Sequence, residues 1–261
     1  NFQKSIIMKV VAIIPARMGS TRFHGKPLAK IHGHSMIEHV YRRVLCSKLI
    51  NELYVATCDK EIADEVKRFK GRAIMTSPHH LRGTDRVAEA IAKIEADIVI
   101  NVQGDEPMVD PNVLDKAIAF MTKHEDVRCL NFISPINDWD CFVSRDVVKT
   151  VLDKKNRVLY FSRQPIPTCK PQSLKNAFKQ IGIYFFRKEL LLQFSQWPET
   201  SLEQMEQVDM IRIIENGFSI YTFESNNMVG VDKPEDVALV EQALLNDPLY
   251  QKLFTTNSPS A

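Results

Sequence analysis

The feature that most constrains this chain is its opening rhythm. Over roughly the first 120 residues, short apolar runs alternate with helical patterns. Residues 9–15 (KVVAIIP) form a continuous apolar run rich in β-branched side chains, which reads as a strand buried on both faces. Residues 53–57, 72–76 and 97–102 read as further strands. The spacing between them predicts helices over 35–47, with Met36, Val40 and Val44 on one face, over 60–70, and from Thr84 as N-cap through Glu95. This alternation predicts an α/β fold, a doubly wound and mainly parallel sheet with right-handed crossovers. In such sheets ligands bind beyond the carboxyl ends of the strands.

From Cys129 the rhythm changes. Residues 129–136, 146–152, 157–162 and 180–186 are β-like runs with few helices between them, so a smaller inserted β section is expected over about 129–200. Helices return at 188–195, at 202–216 with Gly217 as C-cap, and at 234–246. The expected organisation is one domain over 9–247, with tails at 1–8 and 248–261. The polar stretch from Thr255 onward is expected to be disordered.

Composition removes several classes. A net charge of +2 gives no clustered basic surplus of the kind that nucleic acid or a membrane surface attracts. The longest apolar run, 10–15, is too short to cross a bilayer. Residues 1–8 hold no small-residue cleavage site, and Met8 is a candidate native start. Five cysteines in no metal-ligand spacing read as buried, reduced thiols of a cytoplasmic protein. His32 and His34, flanking Gly33, read as surface residues of a turn, and Met205 and Met210 as core or pocket wall.

Three motifs carry chemistry. After the first strand, Arg17, Arg22 and Lys26 stand in a loop with Gly19 and Gly25, and Ser20 and Thr21 add hydroxyls. Such a loop can surround a triphosphate with cations and backbone N–H groups. It is not a Walker A loop, because Lys26 is followed by Pro27. After the fourth strand, residues 101–107 (NVQGDEP) place Asp105, a hard-oxygen ligand suited to Mg²⁺, at the sheet edge. Late in the chain, residues 230–237 (GVDKPEDV) place Asp232 after a short strand and two residues before Pro234, as a helix N-cap or a second metal carboxylate. Two smaller signals are Gly83-Thr-Asp-Arg86, entering a helix whose N–H groups suit an anion or a base edge, and Tyr160-Phe-Ser-Arg163, where Arg163 could pair with a carboxylate.

Together these motifs resemble the sugar-acid cytidylyltransferases, and most closely the 3-deoxy-manno-octulosonate (Kdo) cytidylyltransferase family. PARxxSTRxxGKPL, NVQGDEP, YFSR, GIY and GVDxPED stand in order between about Lys9 and Ala243. The resemblance implies a nucleotidyltransferase-like fold and a Mg²⁺-dependent transfer of CMP from CTP to the anomeric hydroxyl of Kdo, releasing pyrophosphate, for lipopolysaccharide synthesis. It implies that Arg17, Ser20, Arg22, Lys26, Gly83 and Thr84 bind CTP. Asp105 and Asp232 would hold the metal and, with Arg22 and Lys26, carry catalysis. Gln103, Arg163, Gln180, Tyr184, Glu206 and Met210 would line the sugar pocket. It also implies a cytoplasmic homodimer whose inserted β section, near 130–200, is the interface.

Departures from the family pattern gather in the sugar half. Gln180 stands where the family usually has His, and Asp209-Met210 where it has Glu-Gln. A thioether cannot replace an amide that donates and accepts hydrogen bonds. His24 for Pro and Asp85 for Glu are milder changes. A modified substrate follows as the alternative: 8-amino-3,8-dideoxy-octulosonate or another sugar acid. Three rivals stand beside it. A sialic-type activating enzyme would not be expected to carry YFSR and GVDxPED in this form. A binding protein without activity would not need two metal carboxylates. A dinucleotide oxidoreductase would need the GxGxxG that the first loop lacks.

Overall fold

A computed structural model describes residues 8–19, 22–171, 173–225 and 228–255. The strands are β1 (Val10–Ala16), β2 (Lys30–Ile31), β3 (His34–Ser35), β4 (Glu52–Thr57), β5 (Ala73–Met75), β6 (Ile98–Val102), β7 (Cys129–Pro135), β8 (Lys149–Leu152), β9 (Val158–Ser162), β10 (Phe178–Arg187) and β11 (Ile220–Glu224). The helices are α1 (Met36–Val44), α2 (Lys60–Arg68), α3 (Gly83–Ile91), α4 (Pro111–Lys123), α5 (Trp139–Val143), α6 (Lys188–Phe194), α7 (Ser201–Glu206), α8 (Ile211–Glu215) and α9 (Asp236–Leu245). The α/β class that the alternation predicts is the class observed.

The chain divides into two compact units. One comprises residues 12–90, 102–115 and 227–261. Here β1, β4 and β5 lie side by side, with β4 and β5 parallel and Val55 opposite Ala73. All seven residues of β1 are buried, as its unbroken apolar run requires. Helix α1 buries Met36, Ile37, Val40 and Val44 at helical spacing. It also buries Glu38, whose carboxylate meets Arg42 at 2.8 Å and Arg68 at 2.6 Å. His32 and Gly33 both take positive φ (47° and 83°), which closes the β2–β3 hairpin with the twist such short turns need. His32 is half-buried rather than a surface residue, with its Nε2 2.8 Å from the Glu241 carbonyl. A core of Ile31, Met36, Val231, Val240, Leu244 and Tyr250 ties the hairpin, α1 and α9 together. Residues 248–255, expected as a tail, are instead helical, because Tyr250 and Phe254 pack on that core.

The other unit comprises residues 1–11, 91–101 and 116–226. Its strands run in the order β11, β7, β10, β6, with β11 parallel and β10 antiparallel to β7. Strand β8 pairs antiparallel with both β10 and β9. A small core of Ile136, Phe142 and Ala177 sits under α5.

Two expected helices differ. The helix expected over 84–95 is α3, which starts at Gly83 and ends at Ile91, so Thr84 lies inside its first turn, fully buried, rather than at the N-cap. The single helix expected over 202–216 is two, α7 and α8. Gln207 takes a left-handed conformation (φ 56°) that ends α7. The break lets Arg212 turn back onto Glu203, with contacts of 2.6 and 2.7 Å in the interior. Apolar spacing alone does not reveal a break of this kind.

Candidate active site

The carboxyl end of β1 opens the first site, which lies wholly within the unit of residues 12–90, 102–115 and 227–261. The loop after β1 closes on itself where Gly25 N–H donates to the Met18 carbonyl at 3.0 Å. Gly25 has φ +70°, a conformation that costs a side-chain-bearing residue energy and glycine little. Asp59, just beyond β4, accepts from Met18 N–H at 2.7 Å and anchors the loop to the sheet. Lys26 then enters a single 3₁₀ turn whose second residue, Pro27, needs no N–H partner.

Lys26 Nζ donates to the Asp105 carboxylate and, at 3.0 Å, to the Val231 carbonyl. Val231 N–H in turn donates to the Asp105 carbonyl at 3.0 Å. These bonds join the basic loop, the NVQGDEP turn and the GVDxPED segment. Arg22 pairs with Asp232 at 2.9 Å, and both side chains are about half exposed (44% and 48%). Two cations and two carboxylates therefore stand together, each charge met by its opposite. Partial burial pushes the Asp232 carboxyl above its ordinary pKa, Arg22 pulls it down, and Asp105 pushes it up again.

Asp232 differs from its expected setting. Residues 228–231, immediately before it, form no strand, and α9 is capped at Glu235, so Asp232 caps no helix. Asp236, the first residue of α9, accepts from the backbone N–H of both Asp232 and Lys233 at 2.8 Å, which fixes the turn before the helix, and the Asp232 side chain faces Arg22.

Beside this quartet lies a cleft of about 250 Å³ lined by Arg17, Arg22, Lys26, Gly83, Gln103 and Asp105, all expected from the sequence. Space is tight at Gly83 and Gly104. A Cβ at 83 would come within 3.2 Å of the Gln103 amide, and one at 104 within 3.2 Å of the Pro15 carbonyl. Thr84 is buried and does not line the cleft. Ser20 lies outside the described residues.

His80, Leu81 and Arg82 also line the cleft and were missed, and so does Arg86, the last residue of the Gly83-Thr-Asp-Arg86 signal. Glu89 on α3 holds the loop that carries the first three, accepting from Ser77 N–H at 2.9 Å and contacting the His80 ring. Arg86 is fixed by Thr76 Oγ1 at 2.6 Å. The available signal was a cation-bearing run, SPHHLR, immediately before a helix.

The other unit holds five of the expected sugar residues. Glu206, at the end of α7, gathers the YFSR motif: Tyr160 hydroxyl at 3.3 Å, Ser162 hydroxyl at 2.8 Å and Arg163 N–H at 2.9 Å all donate to its carboxylate. Among the described residues the Arg163 guanidinium meets no carboxylate, the pairing that its place after a strand allowed. It donates instead to the carbonyls of Glu206 (2.9 Å), Arg145 (3.0 Å), Asp146 (3.3 Å) and Gln207 (3.3 Å). Lys149, fully buried, donates to the carbonyls of Ser144 (2.6 Å), Val147 (2.8 Å) and Arg163 (2.7 Å). Burial lowers its pKa, and the three acceptors satisfy all three of its protons. Gln180 and Tyr184 lie on β10. Met210 is fully buried, whereas Met205 is exposed and serves neither core nor wall.

The chain as a whole is matched by known proteins. A family profile described as Cytidylyltransferase covers residues 11–227, which sets the class. A 3-deoxy-manno-octulosonate cytidylyltransferase from Geotalea daltonii is 43% identical over 249 residues, 91% of this chain and 98% of that protein. One from Fusobacterium nucleatum is 39% identical over 89% of this chain and 96% of its own length. A solved structure of CMP:2-keto-3-deoxy-manno-octonic acid synthetase complexed with CTP superposes with a TM-score of 0.84 at 38% identity, covering 91% of this chain and 98% of that one. The chain belongs to the 3-deoxy-manno-octulosonate cytidylyltransferase family. A Leptospira borgpetersenii cytidylyltransferase, at 19% identity and a TM-score of 0.61, shares the fold.

Proposed function

We propose that this chain transfers CMP from CTP to the anomeric 2-hydroxyl of Kdo and releases pyrophosphate. The observation that carries the reading is the quartet of Arg22, Lys26, Asp105 and Asp232 beside a cleft lined by further cations. The cleft's Arg17, Arg22, Lys26 and Arg86 supply positive charge for a triphosphate. Arg22 and Lys26 bind the pyrophosphate end and take up the charge that builds there as the bond to the α-phosphorus breaks. Positioning of the sugar hydroxyl in line with the departing group supplies the rest of the rate enhancement.

Asp105 and Asp232 would hold Mg²⁺, since two carboxylates plus substrate phosphates form the hard-oxygen set this ion takes. When bound, Mg²⁺ supplies positive charge to the α-phosphate and lowers the pKa of the attacking hydroxyl. No cluster of three or more His, Cys, Asp or Glu side chains occurs among the described residues, so a closed all-protein metal cage is not the fit. Arg22 and Lys26 would leave the carboxylates for phosphate oxygens when nucleotide and metal enter together.

The remaining parts of the reading concern assembly and place. A homodimer joined through residues near 130–200 is supported by the exposed Val143 (41%) and Leu159 (58%), and light scattering would test it. No helix among the described residues is long and apolar enough to cross a membrane. All five cysteines are free thiols, which suits the cytoplasm.

The test is pyrophosphate release from CTP and Mg²⁺ with Kdo, beside its 8-amino analogue. Release with Kdo supports the reading. Release with the amino sugar alone would move the substrate assignment and leave the transfer standing. Silence with both would overturn it.

A further inference from the structure

Strand β10 carries Gln180 and Tyr184, and between them its ladder with β7 is irregular. Gln180 lies opposite Ile133 and Tyr184 opposite Asn131, so Ile181, Gly182 and Ile183 together face the single residue Phe132. In a regular antiparallel pair Gly182 would stand opposite Asn131. The bulge therefore stores two extra residues in β10.

The Asn131 side chain spans this bulge. It is fully buried on β7, a strand flanked by β10 and β11. Its Nδ2 donates to the Ile181 carbonyl at 2.9 Å and to the Ile183 carbonyl at 3.0 Å. Both amide hydrogens are consumed, which fixes the amide's orientation and leaves Asn131 Oδ1 buried with no hydrogen-bond partner. An interior position that accepts this cost is unusual. Nearby, Gln180 Nε2 is also buried with no hydrogen-bond partner.

We infer that Asn131 is a positioning residue for the sugar-acid end of the reaction: by holding the bulge open it sets the spacing of Gln180 and Tyr184, and Gln180 Nε2 is the donor kept for an oxygen of the sugar acid. The inference rests on the proposed reading that Gln180 and Tyr184 contact that substrate. Closing the bulge into a regular ladder moves Tyr184 along the strand by two residues, roughly 7 Å, without changing the face it occupies. A shift of that size removes Tyr184 from any site that also uses Gln180. Leucine at 131 keeps the volume and supplies no donor. Aspartate keeps the shape and turns acceptor oxygens toward two carbonyls.

The test is steady-state kinetics on full-length Asn131→Leu and Asn131→Asp, with Gln180→Ala measured beside them. A purely structural role would reduce the folded fraction and kcat while leaving the ratio of the two KM values alone. The expected result is a rise of at least tenfold in KM for Kdo with KM for CTP changed less than twofold, in both Asn131 variants and in Gln180→Ala. If Gln180→Ala shows that split and the Asn131 variants do not, the positioning role is overturned and the reading of Gln180 stands. If none shows it, Gln180 does not meet the sugar acid, and the inference falls with that assignment. Should neither Asn131 variant yield soluble protein, Asn131→Ser keeps one donor, and the same split decides.

Discussion

Replacing Arg212 by methionine should destabilise its unit by about 3–5 kcal/mol, because it leaves a buried carboxylate with no counter-charge. The Arg212 side chain is 3% exposed and that of Glu203 is 0% exposed. Two hydrogen bonds of 2.7 and 2.6 Å join them, and the guanidinium lies 4.3 Å from the centre of the Phe194 ring. Without Arg212, Glu203 keeps only the capping contact from Thr200 N–H at 3.3 Å. The loss would be read by urea denaturation followed through Trp197. Its carbonyl accepts from Arg212 at 3.3 Å, and its ring stacks on Phe218 at 5.5 Å. The protein has two tryptophans, so a Trp139→Phe background makes Trp197 the sole reporter. Glu203→Met combined with Arg212→Met removes both charges, and the double variant should be more stable than Arg212→Met alone. A cost below about 1 kcal/mol for the single variant, or a double variant that merely sums two single losses, would refute the argument that this pair is held by mutual desolvation.

Other outcomes follow from the same structure. Asp105→Asn and Asp232→Asn should each lower kcat by at least ~10²-fold, the scale for removing one electrostatic stabiliser, in a pyrophosphate-release assay. Near-normal turnover in either would remove that carboxylate from the catalytic set. His39 is buried with Nε2 2.8 Å from the Ile31 carbonyl, and burial pulls its pKa down to about 4. The unfolded chain therefore binds a proton that the folded chain refuses, so His39 leaves stability unchanged above about pH 6.5 and erodes it as pH falls toward 4, by up to about 3 kcal/mol. His39→Gln keeps a donor for Ile31 and should flatten that part of the pH–stability curve. A curve parallel to the parent's would discard the assignment.

The cleft at the end of β1 was largely legible in the sequence because its residues stand close to strand ends. Arg17, Arg22 and Lys26 follow one strand and Asp105 another, and in an α/β sheet strand ends converge. His80 and Arg82 escaped because nothing in their own run announces that Glu89, on the next helix, folds that loop over the cleft. The unit that holds Arg163 and Asn131 was less legible. That Arg163 would be occupied by four carbonyls depends on the left-handed turn at Gln207, and a glutamine carries no signal for positive φ. The Asn131 amide was invisible for a related reason: its partners are backbone carbonyls 50 and 52 residues away.

The segment 144–147 has one more consequence. Its four successive carbonyls are held by two side chains from outside it, Ser144 and Val147 by Lys149, and Arg145 and Asp146 by Arg163. The instruction for its path is thus written outside it, at positions 149 and 163, and addressed to main-chain atoms, which every amino acid possesses. Across descendants of this sequence, the exposed side chain at 145 is then at liberty to drift in size and charge while the path stays put. Positions 149 and 163 have no such liberty, and a lineage that lost either would have to redraw the segment.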